Sequence, residues 1–326
     1  MIIARAPLRI SFGGGGSDLP VYYRKWGGAV LSASIDKYVY IHIHPAFDER
    51  RIQLKYAQSE DVDHHDLIKH RIFRTVLSRF NLYGVELVSV ADIPSGTGLG
   101  SSSTFTVALL QCIYAHLGVH RSRAALAEEA CSIEIDELKS PIGRQDQYAA
   151  AFGGVNYIRF EKDDSVYVEP ITIPRDRLRD FNSRLLMFYT GVTRDANDIL
   201  EDQSRSFSDD NGKEQLMHTM VELGGEMRAC LQQGKLDEFG ALLHESWKLK
   251  RSLSAHISNS KIDDLYERAR SAGATGGKIL GAGGGGFLLL YCPPERQPIL
   301  RQALSAWKEF PFKLESGGTQ IVYYER

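Results

Sequence analysis

The chain has little that would tie it to a membrane, a nucleic acid or a structural metal. Lys and Arg number 39 against 41 Asp and Glu, a formal net charge of −2, and no long basic run interrupts the sequence. No general electrostatic pull toward nucleic acid or an anionic surface follows from such a balance. The four cysteines (Cys112, Cys131, Cys230, Cys292) are far apart and never fall at paired metal-ligand spacing. Three sit in apolar segments, where a free thiol behaves as a small core residue, so a reduced, cytoplasmic setting is expected. No apolar run approaches membrane-spanning length, and Met1 to Arg9 lacks a signal-peptide core. Internal repeats and low-complexity stretches are absent too.

What is present is enough chain for about two domains, with 326 residues, 43% hydrophobic and 25% charged. The pattern predicts strands at 30–35, 38–44, 85–93, 153–160, 184–189, 278–281, 287–291 and 321–324. Helices are expected near 67–80, 101–117, 122–138, 144–152, 213–233, 235–250, 260–272 and 294–308. Ser122 is the expected N-cap, Pro141-Ile142-Gly143 breaks the helical pattern, and Asp48 to His70 reads as loop with short strand. The polar stretch Ile173 to Asn182 is the candidate boundary between domains 1–180 and 181–326. Strands and helices mixed in this way imply an α+β protein of two layers.

Glycine is concentrated in three loops, at 13–16, 96–100 and 281–286, which suggests backbone crowded around a common ligand. In the second, Pro94-Ser95-Gly96-Thr97-Gly98-Leu99-Gly100-Ser101-Ser102-Ser103 joins a β-branched strand to an apolar helix. Glycines there let backbone approach an oxyanion, while first-turn N–H groups and the helix dipole point at it. Hydroxyls next to a phosphate can also ligate Mg²⁺. This is not the common NTPase P-loop, since no Gly-Lys-Ser/Thr ends it, nor a dinucleotide fingerprint, since Ser101 replaces the third glycine. A bare Gly/Ser turn is the competing reading of the segment.

The first loop lies between a cation, Arg9, and a carboxylate, Asp18, which suits hydrogen bonding from sugar hydroxyls. Glu134 ends one helix and Asp146 opens the next. Two such carboxylates can divide phosphoryl transfer, one holding Mg²⁺ and the other facing the attacking hydroxyl. Arg144 can stabilise phosphate charge or pair with Asp146. Arg194, after a strand end, can grip a phosphate. His42 and His44 share a strand face, but no third metal ligand accompanies them.

Together these segments resemble the GHMP kinases. Ala6 to Asp18 looks like the first family motif, Pro94 to Ser103 the second and Ile279 to Gly286 the third. The resemblance implies a GHMP kinase fold, with a ribosomal protein S5 domain 2-like amino-terminal domain and a ferredoxin-like carboxy-terminal one. ATP and Mg²⁺ are implied, with Pro94, Ser95, Gly96, Thr97, Gly98, Leu99, Gly100, Ser101, Ser102 and Ser103 at the phosphates. By the same matching Ser101 or Ser102, with Glu134, would hold the metal, and Asp146 with Arg9 would face the acceptor hydroxyl. Gly16, Ser17, Asp18, Arg194 and Gly284 would meet the substrate. Arg-Ile-Ser-Phe-Gly-Gly-Gly-Gly-Ser-Asp is similar to the heptose 7-phosphate kinase branch rather than to galactokinase, which has Gly-Glu-His-Thr-Asp there. That implies phosphorylation of the anomeric C1 hydroxyl of a heptose 7-phosphate, feeding bacterial surface polysaccharide. Fucokinase-like or other anomeric sugar kinases are the alternative, and a non-catalytic sugar sensor is disfavoured because the carboxylates and serines are retained. Nucleic acid and membrane are not expected partners.

Overall fold

In the computed structural model, residues 1–191 and 211–325 are described. The chain builds two sheets. The first holds eight strands, and its main path runs β12-β1-β2-β5-β3-β4. These strands are β1 (Ile2–Gly13), β2 (Gly28–Pro45), β3 (Ile52–Lys55), β4 (Ser59–Val62), β5 (Val85–Ala91) and β12 (Gln320–Tyr324). Strands β6 (Val155–Phe160) and β7 (Val166–Pro170) branch from β2. Four antiparallel strands form the second sheet, in the order β11-β8-β10-β9. They are β8 (Leu185–Tyr189), β9 (Gly276–Ile279), β10 (Phe287–Tyr291) and β11 (Lys308–Glu309). The mixed α+β class is as expected.

Helices α1 (Pro20–Trp26), α2 (Arg71–Arg79), α3 (Ser101–His116), α4 (Arg123–Cys131), α5 (Gln145–Phe152) and α6 (Arg175–Ser183) come first. They are followed by α7 (Asn211–Gln233), α8 (Leu236–Leu253), α9 (Ser260–Ser271) and α10 (Gln297–Ala303). Among the described residues no helix is long and apolar enough to cross a membrane.

Several local readings change. The two strands expected at 30–35 and 38–44 are one continuous strand, β2, which pairs with β6 through its first half and β5 through its second. The stretch expected as a boundary linker contains α6, because Phe181 is fully buried there. Its ring meets Phe12 of β1 at 5.5 Å and Phe239 of α8 at 4.9 Å edge-on, and Tyr291 of β10 at 5.9 Å, so it touches both sheets. The last strand, β12, leaves the second sheet and pairs with β1. Helix α4, capped by the Ser122 side chain as expected, runs into a π-helical turn at Ser132–Glu137. Such turns re-aim side chains and recur at functional sites.

Helix α3 is buried on nearly every face, as its continuous apolar sequence requires, and packs across β1 and β2. That placement brings its glycine-rich amino terminus beside β1. The β1–β2 register slips between Pro7 and Arg9, a bulge that frees the Arg9 N–H from its own sheet. It donates instead to Leu99 O at 3.1 Å, tying the strand to the glycine loop.

Candidate active site

A cavity of about 770 Å³ lies where these elements converge, lined by residues of all three glycine loops together with Arg9, Asp18, Glu134, Asp146 and Lys250. Loops two and three touch backbone to backbone. A methyl group on Gly281 would sit 2.6 Å from Gly98 Cα, and one on Gly98 would strike Leu280 O. Only glycine permits this approach, and both residues also hold positive φ.

Arg9 is buried and organises the centre. Its Nε and Nη2 each donate to an Asp146 carboxylate oxygen at 2.7 Å, while Nη1 donates to Gly98 O at 2.6 Å. One guanidinium therefore fixes both the carboxylate and the phosphate loop. Gly100 lies so close that a Cβ there would be 3.1 Å from Asp146 Oδ2. Asp18, on the same wall, accepts from Gly16 N at 2.9 Å, Gln145 N at 3.2 Å and Gln145 Nε2 at 3.1 Å. Burial, reinforced by the Asp146 charge, raises its pKa.

The π-turn carries Glu134 into the cavity below α3. Its Oε1 accepts from Ser102 Oγ at 2.9 Å and its Oε2 from Gln147 Nε2 at 2.8 Å. Burial pushes its carboxyl up to about 7, against the Ser103, Gln147 and Ser102 hydrogen bonds. Ser101 Oγ is buried without a partner. Among the described residues no group of three His, Cys, Asp or Glu side chains stands ready to hold a metal alone. One carboxylate beside the unpartnered Ser101 hydroxyl and that of Ser102 nevertheless fits Mg²⁺, which keeps waters and takes oxygens from substrate phosphates.

Not every expected residue reaches the cavity. Ser17 is fully buried, and its hydroxyl donates to Ala29 O at 3.1 Å and accepts from Ala29 N at 3.0 Å, so it braces the first loop rather than facing a substrate. Thr97 is spent on Pro94 O, and Leu99 is packed in the core. Gly284 is absent from the lining, and its N–H goes to Ile257 O at 2.9 Å. Arg144 pairs with Glu128 rather than Asp146. Arg194 lies outside the described residues. His44 sits 3.6 Å from Glu86, away from the cavity.

Two lysines escaped the sequence reading. Lys250 of α8 lines the cavity and donates to Gly281 O at 2.5 Å. Burial, helped by nearby Arg9 and opposed by Asp18, pulls its pKa down to about 8. Lys278 of β9 donates to Ser11 Oγ at 3.3 Å and Phe12 O at 3.4 Å, and burial holds it well below the usual lysine range. The signal for Lys250 was its register with Leu236, Phe239, Leu243, Trp247 and Leu253 on one apolar helix face. For Lys278 it was a lysine inside an otherwise apolar strand. Gln145 and Gln147 were also missed.

Residues 66–154 match the family described as GHMP kinases N terminal domain, and 227–309 match GHMP kinases C terminal. The chain is 30% identical over 317 residues to the D-glycero-alpha-D-manno-heptose 7-phosphate kinase of Campylobacter jejuni, covering 93% of each. The chain belongs to the GHMP kinases. As a GHMP kinase it is a phosphotransferase acting on an alcohol group with ATP as donor. It is also similar to the bifunctional fucokinase/GDP-fucose pyrophosphorylase of Arabidopsis thaliana, 26% identical over 94% of this chain and 31% of that one. A solved D-glycero-D-manno-heptose 1-phosphate kinase from Bacteriodes thetaiotaomicron superposes with a TM-score of 0.83 at 25% identity, covering 100% of both chains. The fold assignment of this GHMP kinase rests on both kinds of likeness.

Proposed function

We propose that the chain transfers the γ-phosphoryl group of ATP to the anomeric C1 hydroxyl of D-glycero-α-D-manno-heptose 7-phosphate. The product is the 1,7-bisphosphate, a precursor of nucleotide-activated heptose for surface polysaccharide made in the cytoplasm. The observation that carries this reading is the double use of Arg9, clamped to Asp146 on one side and to the phosphate loop at Gly98 on the other. It sets a carboxylate against the place where a loop-bound γ-phosphate meets an acceptor.

In this reading Asp146 accepts a hydrogen bond from the C1 hydroxyl and aims its oxygen at phosphorus. Arg9 holds that carboxylate in place and lowers the cost of negative charge growing on the transferring group. Asp18, positioned by Gln145, takes a sugar hydroxyl, and the buried, unpartnered Gln145 Oε1 takes another. The amides and hydroxyls of 95–103 cradle the phosphates. Ser101, Ser102 and Glu134 hold Mg²⁺, which neutralises phosphate charge when bound. The functional division falls near residue 180, with β12 handed back to the amino-terminal sheet.

A second reading, another anomeric sugar kinase such as a fucokinase, is favoured by the Arabidopsis likeness. One experiment separates them. ADP release is followed with Mg²⁺, ATP and a panel of heptose 7-phosphate, fucose, galactose, mevalonate and homoserine, and the product is examined by ³¹P NMR. A new phosphate on C1 of heptose 7-phosphate is expected. Turnover of a bare sugar alone would select the alternative, and turnover of mevalonate alone would remove the sugar.

A further inference from the structure

Three buried basic side chains, Arg9, Lys250 and Lys278, share the acceptor end of the cavity with two carboxylates, Asp146 and Asp18. Arg9 spends its charge on Asp146. Asp18 is already served by three N–H groups, from Gly16 N, Gln145 N and Gln145 Nε2. Lys250, 5% exposed, donates only to the Gly281 carbonyl and makes no ion pair among the described residues. The charged groups it feels are Arg9 and Asp18, on the acceptor side, rather than Glu134 on the metal side. Behind it Lys278, 2% exposed, donates to Ser11 Oγ. That oxygen thereby accepts from an amine, which leaves the Ser11 O–H to donate, and Ser11 lines the same cavity.

An ammonium and a hydroxyl donor backed by a second buried amine suit a dianion. A neutral sugar hydroxyl would leave the buried ammonium without an ion-pair contact, which is costly. We propose that Lys250 and Ser11, with Lys278 behind them, form the subsite that takes the acceptor's own phosphate monoester. This deepens the sugar-phosphate reading above and rests on it.

The test compares wild type, Lys250→Met and Ser11→Ala on heptose 7-phosphate and on the unphosphorylated heptose. A charged hydrogen bond lost to phosphate is expected to lower kcat/KM on the phosphorylated acceptor about 30-fold more than on the bare one, mainly through KM. Ser11→Ala, a milder change, moves the same ratio about fivefold. Equal losses on both acceptors would overturn the proposal: in KM they assign Lys250 to a sugar hydroxyl, in kcat to the transferring phosphoryl. Should Lys250→Met not fold, the Ser11→Ala ratio decides alone. If wild type phosphorylates no sugar phosphate, the functional reading itself has failed. The subsite is then judged by inorganic phosphate added to protein saturated with a non-hydrolysable Mg-ATP analogue. A phosphate-induced rise in Tm lost in Lys250→Met supports it, and an equal rise in both sinks it.

Discussion

Replacing Asp146 with Asn changes one atom of the carboxylate, yet the structure predicts a large effect on stability as well as on turnover. Arg9 is sealed in, with 5% of its side chain exposed, and Asp146 shows 22%. Both oxygens of Asp146 accept from the guanidinium at 2.7 Å. Asn offers one acceptor and one NH₂, so one of the two bonds becomes donor against donor. The guanidinium keeps its full charge with one amide oxygen and Gly98 O as its remaining acceptors and no counter-charge. Breaking a buried pair from one side costs about 3–5 kcal/mol, and the partial exposure of Asp146 puts this case near 3. Loss of the hydroxyl-facing carboxylate lowers turnover by about 10³-fold or more.

A double-mutant cycle separates the two effects. Arg9→Met removes the charge that Asp146 compensates, so adding Asp146→Asn in that background is expected to cost under about 1 kcal/mol, while turnover stays lost. Urea midpoints, ADP release and binding of a non-hydrolysable ATP analogue are measured on all four proteins. Additive destabilisation would refute the buried-pair argument. Near wild-type turnover in Asp146→Asn would remove Asp146 from the reaction.

In the absence of metal and nucleotide, Glu134, raised from 4.5 to about 7, favours its protonated form in the folded protein. The Glu134 contribution to stability is therefore most favourable below about pH 4.5 and worsens by about 3 kcal/mol as pH rises from there to 7, so the difference in urea midpoint between wild type and Glu134→Gln changes across that window; a pH-independent difference refutes it. Lys250, lowered from 10.5 to about 8, carries the opposite sign, a penalty that is full below pH 8 and fades toward 10.5. Lys250→Met consequently stabilises by up to about 3 kcal/mol at pH 7 and by little at pH 10, and destabilisation at pH 7 contradicts the assignment. Gly98→Ala drives a methyl into Leu280 O at a φ of +85°, so calorimetry should show ATP-analogue affinity down by tenfold or more; wild-type affinity would show that the loops need not touch. Ser17→Ala strands the Ala29 N–H and costs about 1–3 kcal/mol in thermal unfolding with KM little changed, whereas a large KM effect would restore Ser17 to the substrate.

Much of the fold was legible because the strongest elements carry unbroken apolar pattern. Strand β10 is found where expected, and α3 starts at Ser101 and is buried on nearly every side. Strand β2 was split in two because Asp36 and Lys37 interrupt its apolar run, although both stay within the strand. Its Ser32 and Ser34 are each only 1% exposed, so polarity there did not mean solvent. Helix α6 hid behind Arg175-Asp176-Arg177 and Arg179-Asp180, where one phenylalanine supplies the deep burial. Arg9, Asp18, Glu134 and Asp146 were found through motifs and do line one cavity. The lysines were not, since lysine ordinarily marks a wet surface and their burial is a tertiary fact.

The three carboxylates of the cavity have been given surroundings that make them poor substitutes for one another. Asp146 is bound on both oxygens by a guanidinium that also grips the phosphate loop, so its position is fixed relative to a nucleotide's terminal phosphate. Glu134 faces hydroxyls and an amide with no cation among its hydrogen-bond partners, and burial discourages its charge until a cation arrives. Asp18 is held by N–H donors from both its own loop and α5, which orients it while adding no positive charge. Carboxylates whose environments diverge in this way are suited to different tasks. A position that meets a hydroxyl, one that meets a metal and one that meets a sugar are what phosphoryl transfer to a polyol requires. The same logic explains the glycines: side chains at 98 and 281 would push the donor loop away from the carboxy-terminal sheet, and with it the place where Arg9 joins donor to acceptor.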